Sequence, residues 1–284
     1  MKLLKKIRDE IKSHGLLPTA KKILVKIDFI LRNFIRMKVG IGSDKRRLEL
    51  SRNINSIFSG VVAYGPFKGL RLGDLSWCAS TDIAARLLGL YEQEILESLS
   101  SLPHTHDVFI DLGAGGGYYG IGAVVSKKFA ASYCYEIADV ARKIIEHNAR
   151  LNGVLDRVII RGAVENGFHE ALKMEGVDLS RCVLLCDIEG GEFSMFDETT
   201  LSAFRGSTIF IEIHDFLFFD GSARLQKLKR DASRYFRVTE LTTGARDLSK
   251  FPELNKLNDT DRWLIVSEGR SQLMTWLRLD PIAK

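Results

Sequence analysis

With 284 residues and 45% hydrophobic content, the chain is long enough for one large domain, or a domain with an extension, and has the composition of a soluble globular protein. No stretch supplies the ~20 nearly uninterrupted apolar residues of a membrane span, since the best of them, 23–35, is broken by Lys26, Asp28, Arg32 and Asn33, and the start MKLLKKIRDEIKSHG lacks the apolar core and cleavage site of a signal peptide. The net charge of +5 is uneven: residues 1–47 hold fourteen Lys or Arg against four Asp or Glu, hence +10 there and −5 over the remainder.

Residues 1–38 have helical apolar spacing, split at Gly15 and Pro18, and predict two basic amphipathic helices. Such an arm packs on its own domain or on a second copy of the chain, or meets an anionic membrane surface. Nucleic acid is disfavoured as a partner, because the basic residues lack interleaved aromatics and no recognition fold accompanies them. Residues 54–74 read as two strands joined at Gly65-Pro66-Phe67-Lys68-Gly69, a short β-hairpin, and LLGLYEQEILESLSSL reads as a helix.

From 108 onward, apolar runs alternate with helical stretches. VFIDL, SYCYEI, RVIIRGAV, VLLCDI and TIFIEIH are the strands, with helices near 119–128, 139–151, 192–203 and 222–233. Strands that are continuously apolar have both faces covered, so the expected fold class is α/β, a Rossmann-like sheet with helices on each side. FRVTELTT, a polar loop and DRWLIVSE complete the pattern. The expected divisions are a helical extension over 1–52, a hairpin and helix over 53–104, a core over 105–270 and a tail over 271–284. Cys78, Cys134, Cys182 and Cys186 show neither zinc-ligand spacing nor a secreted disulfide framework. They read as small buried hydrophobes in a reducing cytosol, which sets the expected location as the cytoplasm, with the inner membrane surface within reach of the basic arm.

DLGAGGGYYG, residues 111–120, follows the first strand of this sheet. A loop so rich in glycine lets backbone approach a ligand, and at the carboxyl end of a strand it marks the ligand crevice. Gly115-x-Gly117-x-x-Gly120 satisfies the dinucleotide fingerprint, whereas Asp111-x-Gly113-x-Gly115-x-Gly117 resembles motif I of the S-adenosylmethionine (SAM) methyltransferases. Glu136 ends the next strand where a ribose-binding carboxylate belongs under either register. VLLCDIEGGEFSMFD separates the two, because Asp187, Glu189 and Glu192 gather at the same sheet edge. Carboxylates there oppose a pyrophosphate and suit a cationic sulfonium, a metal, or a hydroxyl losing its proton.

From about residue 60 to 268 the chain resembles the FkbM family of SAM-dependent methyltransferases, through DLGAGGGYYG, CYEIADVARKIIEHNARLNG, CDIEGGE, YGPFKGL and LLGLYEQE. The resemblance implies a seven-stranded sheet ending in an antiparallel hairpin, here FRVTELTT with DRWLIVSE. It also implies SAM as cofactor and methylation of a hydroxyl on a sugar, glycan or other natural product. By position Asp111, Gly113, Gly115 and Gly117 surround the methionine part, Tyr118 and Tyr119 cap it or wall the substrate side, Glu136 takes the ribose, and Ala163 and Val164 flank adenine. Gly115 stands where the family more often has Asn. Removal of the hydroxyl proton falls to His214 or Asp187, with Glu212 two residues before His214 on the same strand. No metal ligand is assigned from the sequence, and a divalent ion on Asp187, Glu189 or Glu192 with His214 stays open as a variant. An NAD(P)-dependent oxidoreductase and a non-catalytic binding protein of the same fold are the competing readings.

Overall fold

A computed structural model describes residues 43–73, 80–270 and 272–282. The helices expected over 1–38, and Cys78, lie outside the described residues. Residues 43–58 are helical (α1), followed by α2 (Ile83–Leu87) and α3 (Gln93–Ser101). The alternating part then runs β1 (Val108–Leu112), α4 (Tyr118–Val125), β2 (Ala131–Tyr135), α5 (Asp139–Leu151), β3 (Val158–Arg161), α6 (Phe168–Met174) and β4 (Cys182–Cys186). It continues through α7 (Glu192–Met195), α8 (Glu198–Ala203), β5 (Thr208–Ile213), α9 (Gly221–Ala232), β6 (Phe236–Thr242), α10 (Asp259–Ile265) and β7 (Thr275–Pro281).

The seven strands form one sheet in the order β3-β2-β1-β4-β5-β7-β6. The first five are parallel, and β7 is antiparallel to both β5 and β6. This is the Rossmann-like seven-stranded mixed sheet expected from the sequence. Alternation along each strand divides the core between the two faces: Phe109, Val183, Leu185, Phe210 and Trp276 pack on one side, and Ile110, Leu112, Leu184, Ile211 and Leu277 on the other. Every residue of β4 and β5 is buried, and burial of each Val, Leu, Ile or Phe contributes roughly 1.5–3 kcal/mol. Continuous apolar runs therefore mark the central strands correctly.

Four expectations are corrected. DRWLIVSE is not the closing strand. Asn258 accepts a hydrogen bond from Asp261 N at 2.9 Å, capping α10, and Asp259 and Asp261 in its first turn favour the positive helix end. The closing strand is β7, drawn from residues set apart as a tail, where Trp276 faces one core and Leu277 and Leu279 the other. Residues 54–74 are not a hairpin of two strands: 43–58 are helical and a single antiparallel bridge joins Val61 to Arg71. The helix over LLGLYEQEILESLSSL is broken between α2 and α3, where Glu92 has φ +45°. Finally, residues 43–52 belong to the body. Leu50 and Ile54 enter the core, Arg46 pairs with Asp261 at 2.6 and 3.0 Å, and Arg47 pairs with Asp82. Cys134, Cys182 and Cys186 are buried free thiols, as expected. Among the described residues no helix is long and apolar enough to cross a membrane.

Candidate active site

The sheet order reverses between β1 and β4, and a ligand crevice opens beyond the carboxyl ends of strands at such a point. There the backbone of Asp187 donates to Leu112 O at 2.8 Å, tying the loop after β4 to the end of β1. Gly113 follows Leu112 with φ +87°, and a Cβ on it would stand 1.8 Å from Asp187 O. Only glycine fits, both for its conformation and for the closeness of the two loops.

Glu136, just beyond β2, reaches back to this turn. Its Oε2 accepts from Gly115 N at 2.9 Å and its Oε1 from Ala138 N at 2.7 Å. Asp111, 1% exposed, accepts from Gly120 N at 2.9 Å and so fixes the first turn of α4. Burial pushes its carboxyl pKa up to about 7; the Gly120 hydrogen bond opposes this, and the charges of Asp187, Glu136 and Glu92 add to it.

Around these residues lies a cavity of about 920 Å³, at the upper end of the range for ligand clefts. Asp111, Gly113, Gly115, Tyr118, Glu136, Ala163, Val164 and Asp187 all line it, so most of the residues singled out in sequence converge. Gly117 does not line it: with φ +82° it begins α4 beside Ile121 and Ile145. Tyr118 both lines the cavity and packs edge-on against Phe67, Tyr91 and Tyr119.

His214 stands at the end of its strand, as expected, but not on the cavity wall. It follows β5 but is 3% exposed and stands behind Asp187 and Glu189, which do line the cavity. Its Nε2 is 3.6 Å from Asp187 Oδ1, from Glu189 Oε2 and from Glu212 Oε2. Burial pulls the His214 pKa down, but the carboxylates of Glu192, Asp187 and Glu189 outweigh it and leave it raised. Asp187 and Glu189 thus reach the cavity wall, and His214 lies behind them. Glu192 is fully buried and clamps backbone: Oε1 accepts from His214 N and Oε2 from Gly190 N, both at 2.8 Å. Its contact with the imidazole is on Nδ1, 3.5 Å from Oε1, the side of the ring turned away from Asp187 and Glu212. Glu189 holds a left-handed backbone at φ +50°, a conformation that costs a non-glycine residue roughly 1–2 kcal/mol.

Several cavity residues were not assigned a role from the sequence, although Tyr91 and Glu92 lie in the LLGLYEQE stretch of the family resemblance. Glu92, 4% exposed, accepts from Tyr119 Oη at 2.7 Å and pairs with Arg270, which also pairs with Glu212 and, at 2.8 Å, with Glu268. Burial raises the Glu92 and Glu212 carboxyls against the opposing charge of Arg270. The Arg86 guanidinium lies 4.6 Å from the Tyr91 ring centroid and 5.4 Å from that of Tyr118, forming with Trp276 an aromatic and charged wall. What placed Glu92 in the cavity is the positive-φ break between two short helices, which is invisible without the backbone.

No family model matches the chain, and no curated protein matches it. Solved structures do. The B. subtilis m1A22 tRNA methyltransferase TrmK is 9% identical, over 65% of this chain and 64% of that one, with a TM-score of 0.41. The METTL16 methyltransferase domain is 14% identical, over 66% and 65%, with a TM-score of 0.44. The precorrin-6y C5,15-methyltransferase of Geobacter metallireducens GS-15 is 14% identical, over 72% and 90%, with a TM-score of 0.42. These likenesses are remote, and no residue role, substrate or partner passes from them to this chain.

Proposed function

We propose that the protein is a SAM-dependent methyltransferase, of FkbM kind, that methylates a hydroxyl oxygen on a sugar, glycan or other small natural product. One observation carries the reading: the glycine turn, Glu136, Ala163–Val164 and Asp187, from four separate strand ends, line one cavity at the point where the sheet order reverses. CDIEGGE, the most specific part of the family resemblance, lies directly against the glycine turn and supports the kinship.

The residues fit the cofactor. Each carboxylate oxygen of Glu136 accepts one backbone N–H and keeps acceptor capacity for a ribose hydroxyl. Ala163, Val164 and the 78%-exposed Ile137 offer apolar surface for an adenine ring. Asp111 and Asp187 place negative charge where a sulfonium would lie, and the same charge opposes a pyrophosphate. When bound, SAM supplies an electrophilic methyl group on cationic sulfur. The chain then aligns the acceptor on the methyl axis and receives its proton. Asp187 and Glu189 are the carboxylates that reach the cavity for this, and the His214 imidazole behind Asp187 sets its charge.

Calorimetric titration tests the assignment. Heat with SAM and none with NADH is expected, and the reverse sinks the reading in favour of an oxidoreductase. An Asp187→Ala variant that loses SAM binding yet keeps full function in cells would point instead to a non-catalytic binding protein. Mass spectrometry of extracts with and without the gene, searching for species heavier by one CH2 unit, identifies the acceptor.

A further inference from the structure

Three carboxylates and one imidazole meet where β4 and β5 end, and their spacing differs from that of a hydrogen-bonded cluster. Asp187 Oδ1, Glu189 Oε2 and Glu212 Oε2 all stand 3.6 Å from His214 Nε2, whereas hydrogen bonds close to ~2.7–3.2 Å. One donor atom from each of Asp187, Glu212 and His214 lies within 4.8 Å of the other two. Bonds of about 2.1 Å, as for Mg²⁺, place adjacent octahedral ligand atoms about 3.0 Å apart and opposite ones about 4.2 Å apart. The longer bonds of Ca²⁺, up to about 2.6 Å, extend these to about 3.7 and 5.2 Å, so the smaller ion would draw the cluster in by a few tenths of an ångström. The observed spacings fall in that window.

A second observation, independent of the acidic cluster, points the same way. The His214 side chain is 3% exposed and its Nε2 is aimed at the carboxylates beyond hydrogen-bonding reach, while Nδ1 turns the other way, 3.5 Å from Glu192 Oε1. Asp187 Oδ1 is a buried atom with no hydrogen-bond partner. A buried polar atom left unpaired costs ~1–3 kcal/mol, and for Asp187 Oδ1 coordination would remove that cost. Arg270 sits on the other oxygen of Glu212 and is shared with Glu92 and Glu268, which leaves Glu212 Oε2 facing the cluster.

We infer that Asp187, Glu212 and His214 form a binding site for one divalent cation of the Mn²⁺/Mg²⁺ class, open toward the cavity on the Asp187 side. Hard carboxylates with a single imidazole suit such ions. The inference deepens the methyltransferase reading and rests on it for the purpose of the ion: an acceptor hydroxyl takes an open coordination position and is acidified there. As the oxygen–methyl bond forms, the sulfur–methyl bond breaks with its electron pair staying on sulfur. The hydroxyl proton passes to Glu189, whose side chain is 78% exposed, and from there to solvent.

Titration of the full-length protein with Mn²⁺ alone, without SAM, counting free ion by electron paramagnetic resonance, tests the site. One Mn²⁺ per chain is expected, displaced by excess Mg²⁺. His214→Ala and Glu212→Gln should each weaken Mn²⁺ about tenfold or more, with SAM affinity measured separately by calorimetry staying within about twofold. Glu189→Gln should hold Mn²⁺ nearly as well as the parent. Circular dichroism checks each fold, and His214→Gln replaces His214→Ala if the latter does not fold. Absence of bound Mn²⁺ in the parent protein, or parental Mn²⁺ affinity in both ligand variants, overturns the site. Failure of the methyltransferase reading would show in the SAM titration and leave the Mn²⁺ result interpretable.

Discussion

Glu136 shows how one carboxylate links the glycine turn to the next strand before any ligand arrives. Holding Gly115 N and Ala138 N, it positions the turn and presents an acceptor to the cavity at once. The Glu136→Ala variant leaves two backbone donors without their partner, at about 1–3 kcal/mol each where water cannot replace it. We expect a lowered melting temperature together with a loss of SAM affinity of about tenfold or more by calorimetry, about 1.4 kcal/mol; unchanged affinity would remove Glu136 from the ribose site. At this scale the sequence was informative where residue type and backbone need coincide. Gly113 and Glu136 were legible because a glycine-crowded turn and a strand-end acid are local signals. Glu192 and Asp111 were legible as acids at the right edge, but their duties to backbone amides depend on contacts 22 and 9 residues away. Nothing in the local sequence states such contacts.

Among the elements, the stretch between β6 and β7 changes the site most. Its Arg246 and Arg270 reach across to Glu94, Glu268, Glu92 and Glu212, joining the segment before β1 to the end of β5. Removing one partner of a buried ion pair typically costs ~3–5 kcal/mol, because the other charge is left uncompensated. Arg270→Ala is therefore expected to destabilise the protein severely, and the deficit should shrink as pH falls, since Glu92, whose carboxyl burial has pushed up to about 7, can then take up a proton. Denaturant unfolding of the parent and the variant at neutral and mildly acid pH measures this; a deficit independent of pH would refute the charge explanation. The misassignment of DRWLIVSE has an elemental cause. Trp263, Leu264 and Ile265 look strand-like in isolation, but the Asn258 cap and two acids behind it start a helix.

Across the whole molecule, the carboxylates of the cavity set how stability varies with pH. Unfolded carboxyls titrate near ~4, whereas Asp111 in the fold titrates at about 7 and Glu92 and Glu212 are also raised. Between those values the folded state holds protons that the unfolded chain has lost, so stability falls as pH rises. His214, raised as well, contributes stability below its unfolded value near ~6.5 that is lost as pH passes its folded value, with the same sign. Exposed acids with lowered values, such as Asp178 and Asp247, act only at lower pH. The ligand-free protein should thus melt at a higher temperature in mildly acid than in mildly alkaline buffer, and SAM, a cation at the same carboxylates, should flatten the difference. A melting temperature that rises across that interval would contradict the account.

The sequence by itself determined the α/β class, the order and approximate extent of β1 to β6, and the strand edges at which ligand chemistry would gather. Those features follow from continuous apolar runs, helical periodicity and glycine placement, all of which act over a few residues. Only the tertiary structure decided that β7 is drawn from the residues set apart as a tail, that His214 lies behind Asp187 instead of on the cavity wall, and that Arg270 and Glu92 share one charge network with Glu212. These depend on which distant segments pack together, and packing is settled by the whole core, in which a strand's partner or a carboxylate's nearest charge can lie more than a hundred residues away.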